Sequence, residues 1–137
     1  MERLESSYQQ LIKATKTIEV VLKKLNNAPS NIKEDDLRIL QDSLIHRFEY
    51  CYELPWKYLK LYFEEIFGVE LASPRKVFQE CLTQKITDRE ETKKLLSMVD
   101  DRNKTTHTYD ETISDQITAK IPQHYAIIKT VIERTKP

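Results

Sequence analysis

Glycine is almost missing from this sequence: Gly68 is the one example in 137 residues. Loops that cradle phosphates with backbone N–H groups, of the Walker or dinucleotide-binding type, need several glycines, so ATP or NAD binding through such a loop is excluded. Cysteine is nearly as rare. Cys51 and Cys81 do not form a metal-ligand spacing, and no histidine stands near enough in sequence to complete one. They are read as buried or half-buried thiols, and neither a metal nor a cofactor is expected. An excess of either charge is missing too, with 22 Lys plus Arg against 22 Asp plus Glu. A neutral chain has no broad basic face, which argues against extended duplex binding and leaves short single strands or a protein partner. No apolar run approaches the roughly 20 residues of a membrane span. Met1-Glu2-Arg3-Leu4-Glu5 has none of the character of a signal peptide, and a cytoplasmic protein is expected.

What the chain does have is charge (32%) and apolar side chains (39%) arranged with helical spacing. Its length fits one domain, residues 1–137, with mass enough for a single core. Leu4, Tyr8, Leu11, Ile12, Thr15, Ile18, Leu22 and Leu25 recur at three- and four-residue steps and predict a long first helix. Asn26-Asn27-Ala28-Pro29 ends it. A second helix starts near Asp35 and runs to Gly68, its C-terminal cap, with a kink rather than a stop expected at Pro55. Ser73-Pro74 opens a short third helix to about Gln84. Asp88-Arg89-Glu90-Glu91 has capping-box spacing and opens a fourth. A fifth begins at Asp110 and Glu111, and Pro122 bends or restarts it. Nothing alternates as a strand would. The expected fold is all-α, an antiparallel up-and-down four-helix bundle with an additional short helix.

The polar stretch Arg102-Asn103-Lys104-Thr105-Thr106-His107-Thr108-Tyr109, at or just after the end of the fourth helix, is the candidate site. Arg102 offers a planar fork of donors suited to phosphate. His107 can take or give a proton near neutrality. Together they supply the proton transfer and cation that metal-free phosphodiester cleavage needs. Each residue also has a plain reading. Arg102 fits a charge that complements the helix dipole, or an ion pair with Asp101 or Glu111. His107 fits a core histidine, although its neighbours are polar, and Asp100, Asp101 and Asp110 are near enough in sequence to orient its ring. Asn103 fits a cap for the fourth helix or a hydrogen bond across a dimer, and Tyr109 fits a packing residue. Five residues on a continuous helix rotate by about 140°, which splays Arg102 from His107. They converge only if the helix unwinds between them or if two chains each contribute one residue. His46-Arg47 and His124-Tyr125 read as surface pairs on amphipathic helices. The aromatics from Phe48 to Phe67 exceed what one helix face can bury, so some are expected to face a partner chain.

The Arg-(polar)-x3-His pattern, lengthened to Arg-x4-His-x-Tyr by Thr108-Tyr109, resembles the signature of HEPN domains. That longer form looks like the toxin half of HEPN–MNT (minimal nucleotidyltransferase) toxin–antitoxin modules, also known as nucleotidyltransferase substrate-binding proteins. The likeness covers roughly residues 2–135 and includes the aromatic-rich second helix with Glu53-Leu54-Pro55-Trp56-Lys57. It implies a homodimer with both motifs on one cleft, cleaving RNA as a metal-independent endoribonuclease. Arg102 and His107 would be catalytic, with Asn103 supporting them. It further implies a nucleotidyltransferase antitoxin as partner, and Tyr109 as the acceptor of AMP groups that the partner transfers (AMPylation). The same residues also fit a non-enzymatic subunit that binds nucleotide or substrate for that nucleotidyltransferase. A purely structural helical adaptor would leave them as ordinary surface.

Overall fold

The computed structural model describes residues 2–137; Met1, the first residue of the expected domain, lies outside the described residues. Helix α1 (Glu2–Asn26) turns Leu4, Tyr8, Leu11, Thr15, Ile18 and Val21 inward. Thr15 tolerates burial on this apolar stripe because its hydroxyl donates back to the Leu11 carbonyl at 2.9 Å. Helix α2 (Glu34–Phe67) passes through Pro55 without a break and buries the proline itself. It ends at Gly68, whose φ of 67° lies in the left-handed region. There the Gly68 N–H reaches the Glu64 carbonyl and the Val69 N–H the Phe63 carbonyl, both at 3.1 Å.

Helix α3 (Pro74–Thr83) begins under Ser73, whose hydroxyl accepts from the Lys76 N–H. Helix α4 (Arg89–Lys104) opens on the expected capping box: Asp88 accepts from the Glu91 N–H at 2.8 Å, and the Glu91 carboxylate accepts from the Asp88 N–H at 3.0 Å. Helix α5 (Glu111–Arg134) starts under the Asp110 carboxylate and continues through Pro122, which does not restart it.

Helix α1 packs on α2, α2 also on α3 and α5, and α4 mainly on α3 and α5. The result is the expected all-α bundle of four long helices with the short α3 added. The second-helix aromatics are largely absorbed by this core, and few are left open of those that were expected to face a partner chain. Phe48, Tyr52, Tyr58 and Phe63 are buried, while Tyr50 and Trp56 are half-buried and hydrogen-bonded. Phe67 stays open at the helix end. Both cysteines are buried, and loss of solvent pushes each thiol up to about 12. Among the described residues no helix is long and apolar enough to cross a membrane.

Candidate functional site

The motif straddles the end of α4. Arg102, Asn103 and Lys104 complete the helix, and Thr105–His107 tighten it into a short 3-10 helix. Threonines make this possible. The last carbonyls of a helix lack intrahelical donors, and here hydroxyls supply them: Thr105 donates to the Arg102 carbonyl at 2.7 Å, Thr106 to Asn103 at 3.4 Å and Thr108 to Thr105 at 3.3 Å. A turn closed by the Asp110 N–H on the His107 carbonyl leads into α5.

Arg102 is half-buried and points back at the bundle. Its Nη1 donates to Thr105 Oγ1 at 2.7 Å, and its Nε lies 3.8 Å from Glu53 Oε1 on α2. That carboxylate also accepts from Trp56 Nε1 at 3.0 Å. The ion-pair partner of Arg102 is thus Glu53, not Asp101 or Glu111; Glu111 pairs with Arg38 instead. Asn103 is exposed, and its backbone carbonyl rather than its side-chain amide serves the helix end.

His107 is exposed, and its Nδ1 lies 3.1 Å from the Tyr109 hydroxyl, the rings meeting edge to face at 5.8 Å. Tyr109 is 83% exposed, which overturns its reading as a packing residue. Beside it runs a groove of about 290 Å³ whose far wall is α2, with Asp42, His46 and Glu49. Within one chain Arg102 and His107 therefore engage different partners, Arg102 holding Thr105 and Glu53 and His107 the Tyr109 hydroxyl.

A family described as nucleotidyltransferase substrate binding protein like matches residues 4–135. The chain belongs to this family. A solved structure from Thermus thermophilus (ttk003001694) is similar at 31% identity, with a TM-score of 0.78 over 93% of this chain and 99% of that one. HI0074 from Haemophilus influenzae superposes with a TM-score of 0.83 at 18% identity, over 95% of this chain and 99% of its own. Its structure is described as the fold of a substrate binding domain of a nucleotidyltransferase. At that identity the likeness shows the fold. No curated protein matches this chain.

In this member of the substrate-binding-protein-like family, the acids near the motif do not serve His107. Asp110 caps α5, accepting from the Thr112 and Ile113 N–H groups at 2.9 and 3.4 Å. Asp100 pairs with Arg75 of α3 at 3.0 Å. Asp101 turns into the bundle, where its Oδ2 lies 2.6 Å from His124 Nε2. His124 was expected on the surface with Tyr125; both are buried, and the imidazole is fully enclosed. It stacks on Phe48 of α2 with ring centroids 5.5 Å apart and planes 23° off parallel. Burial lowers the pKa of His124, against the opposing pull of its hydrogen bond and charge contact with Asp101; the Lys120 charge also lowers it. The ring is therefore neutral at neutral pH, donating from Nε2 to the Asp101 carboxylate.

The reading from sequence missed Glu53 and Thr105 as partners of Arg102, and it did not pair Asp101 with His124. A signal for the last two was available. His124 falls on the stripe Ile117, Ile121, Ile128, and Asp101 continues Leu95 and Met98, so a donor and an acceptor interrupt two apolar faces. His46 is exposed as expected, while Arg47 beside it is partly drawn in by Tyr50, to whose hydroxyl it donates at 3.0 Å. Among the described residues no group of three His, Cys, Asp or Glu is placed to hold a metal ion.

Proposed function

We propose that this chain is the companion subunit of a nucleotidyltransferase and presents the Tyr109 hydroxyl to it as acceptor. The observation that carries the reading is the exposed Tyr109 phenol held 3.1 Å from His107 Nδ1. A phenol is a poor nucleophile until its proton is drawn off, and an imidazole within hydrogen-bond reach is suited to that task. The Tyr109 oxygen would attack the α-phosphorus of a nucleoside triphosphate bound by the partner. The new P–O bond forms as the bond to pyrophosphate breaks, the phenolic proton passes to His107, and pyrophosphate leaves with the bonding electrons. Arg102, on the last turn of α4, would receive the attached phosphate in place of Glu53.

The test is an intact-mass measurement after incubation with a nucleotidyltransferase encoded beside this chain, a nucleoside triphosphate and Mg²⁺. An adduct of one or more nucleotidyl units is expected on the wild type and none on Tyr109→Phe. An unmodified wild type, or an adduct that survives Tyr109→Phe, refutes the reading.

A second reading uses the same residues in RNA cleavage, the activity of a HEPN-type toxin that a nucleotidyltransferase antitoxin would neutralise. His107 is exposed, as a proton-transferring group acting on a bound strand must be. Because Arg102 and His107 are tied to different partners within one chain, this reading uses a homodimer with both motifs in one cleft. Nucleotidylated Tyr109 would then block it by placing phosphate beside Arg102. Chelator-resistant RNA cleavage by a dimer in light scattering, lost in His107→Ala, is the outcome that favours it.

A further inference from the structure

Asp100, Asp101 and Arg102 are consecutive, and each ties the last turn of α4 to a different helix. Asp100 reaches Arg75 on α3, Asp101 reaches His124 on α5, and Arg102 reaches Glu53 on α2. The three ties are unequal. Asp100–Arg75 is exposed on both sides, and ion pairs of that kind hold little. Arg102–Glu53 is 3.8 Å long, and α4 has little other packing against α2. Asp101–His124 is 2.6 Å long and enclosed, with side chains 5% and 0% exposed.

Stability alone does not account for that enclosed pair. A carboxylate and an imidazole buried together lose their hydration, and two apolar side chains of similar shape would hold the helices as well or better. What the pair adds is direction. The carboxylate accepts from Nε2–H, which fixes the tautomer and leaves the Nδ1 atom of His124 buried without a hydrogen-bond partner. Turning the ring over would lose the bond to Asp101 without making another. Phe48 of α2 holds the ring plane, and Lys120 of α5 lies 3.8 Å from the other carboxylate oxygen of Asp101. The rotation and height of the last turn of α4 are thereby set one residue before Arg102.

We infer that the Asp101–His124 pair is a positioning element for Arg102, holding the guanidinium where the phosphate of a nucleotidyl group on Tyr109 arrives. This rests on the proposed role of the site, and two separate readouts keep the inferences distinguishable. The first needs no partner: the Nε–H resonance of Arg102 and the imidazole resonances of His107 in the isolated chain. His124→Phe and Asp101→Asn should move the Arg102 resonance while the chain remains helical, and His124→Gln, which keeps a side-chain N–H donor, should restore it toward the wild-type position. The second is the rate of nucleotidyl transfer, where displacement of a phosphate-binding group by about an ångström lowers the rate on the order of 10²-fold.

Unmoved Arg102 signals in folded His124→Phe and Asp101→Asn overturn the inference, as does a shift that His124→Gln fails to reverse. If none of the three variants folds, the pair determines the fold alone and the inference falls as well. If the resonances move as expected but the wild type accepts no nucleotide, the positioning stands and the proposed function is what fails.

Discussion

Two of the three histidines in this chain bond to another side chain, and they do so in opposite surroundings. His124 lies sealed between α2, α4 and α5 with its nitrogen on a carboxylate, while His107 lies in open solvent with its nitrogen on a phenol. The first ring is fixed in one tautomer and one orientation by everything around it. The second is restrained by a single contact at the end of a 3-10 helix. Burial turns the same imidazole into a strut; exposure leaves it able to exchange a proton and to meet a second molecule. The two lie on either side of Arg102, one bracing its helix turn from within the bundle and the other following it in the chain.

That contrast breaks most visibly in function. Tyr109→Phe should abolish nucleotidyl transfer, and His107→Ala should slow it about 10²–10⁴-fold, the usual contribution of a general base. Both should melt within a few degrees of the wild type, since exposed substitutions of this kind change stability by less than about 0.5 kcal/mol. A mass-resolved time course with thermal unfolding on the same samples checks both halves. A large loss of stability in either variant would remove the distinction between the two histidines.

The next effect belongs to the buried side. Asp101→Ala leaves a fully enclosed imidazole without its acceptor and opens a small void, so about 2–3 kcal/mol of stability should be lost. Urea unfolding measures it. A loss below about 1 kcal/mol would mean the enclosed pair is no better held than the exposed one.

Acidification should act through His124 with a definite sign. His124 binds a proton less readily in the folded chain than in the unfolded one, because burial lowers its pKa from a starting value of 6.5. Its contribution to stability is complete above that unfolded value. It is lost as the pH falls below, with a slope of at most about 1.4 kcal/mol per pH unit. Comparing urea midpoints of the wild type and His124→Gln between about pH 7.5 and 5.5 isolates this component; parallel curves would contradict it. The smallest effect concerns the platform under the ring. Phe48→Leu keeps an apolar side chain but removes the stacked face, and about 0.5–1.5 kcal/mol should go.

The helices were readable because their signals are local. The Asp88–Glu91 capping box, Ser73-Pro74 and Gly68 each mark an end through atoms within a few residues, and the structure places helix ends there. Pro55 was expected to leave α2 running, and α2 does continue through it; of the two expectations for Pro122, a bend or a restart, the restart does not occur. A proline advertises the donor it lacks, whereas whether the helix continues depends on packing from other helices, and both prolines lie inside unbroken ones. The position of the motif at the end of α4 was legible, and so was the exposure expected from the polar neighbours of His107. The partners of Arg102 were not. Glu53 is distant in sequence, and acids adjacent in the chain drew attention because they were adjacent. Neighbouring residues on a helix point about 100° apart, so direct adjacency to Arg102 works against contact with it, while Thr105, three residues on, lies on its face and accepts from it.

The three ties from Asp100, Asp101 and Arg102 also determine how this chain tolerates changes of length. Each residue added to a helix advances every later side chain by about 100° and 1.5 Å. An insertion or deletion between Leu96 and Val99 would therefore aim all three at the wrong neighbours at once, exchanging Arg75, His124 and Glu53 for apolar surface or water. Beyond His107 the restraint ends. The turn through Thr108 and Tyr109 is held by hydrogen bonds to its own backbone and by the cap on α5. An added residue there lengthens a surface connection, for which the entropic penalty grows only slowly with length. The segment that carries Tyr109 is thus free to vary in reach, and the helix that supports it is locked in phase.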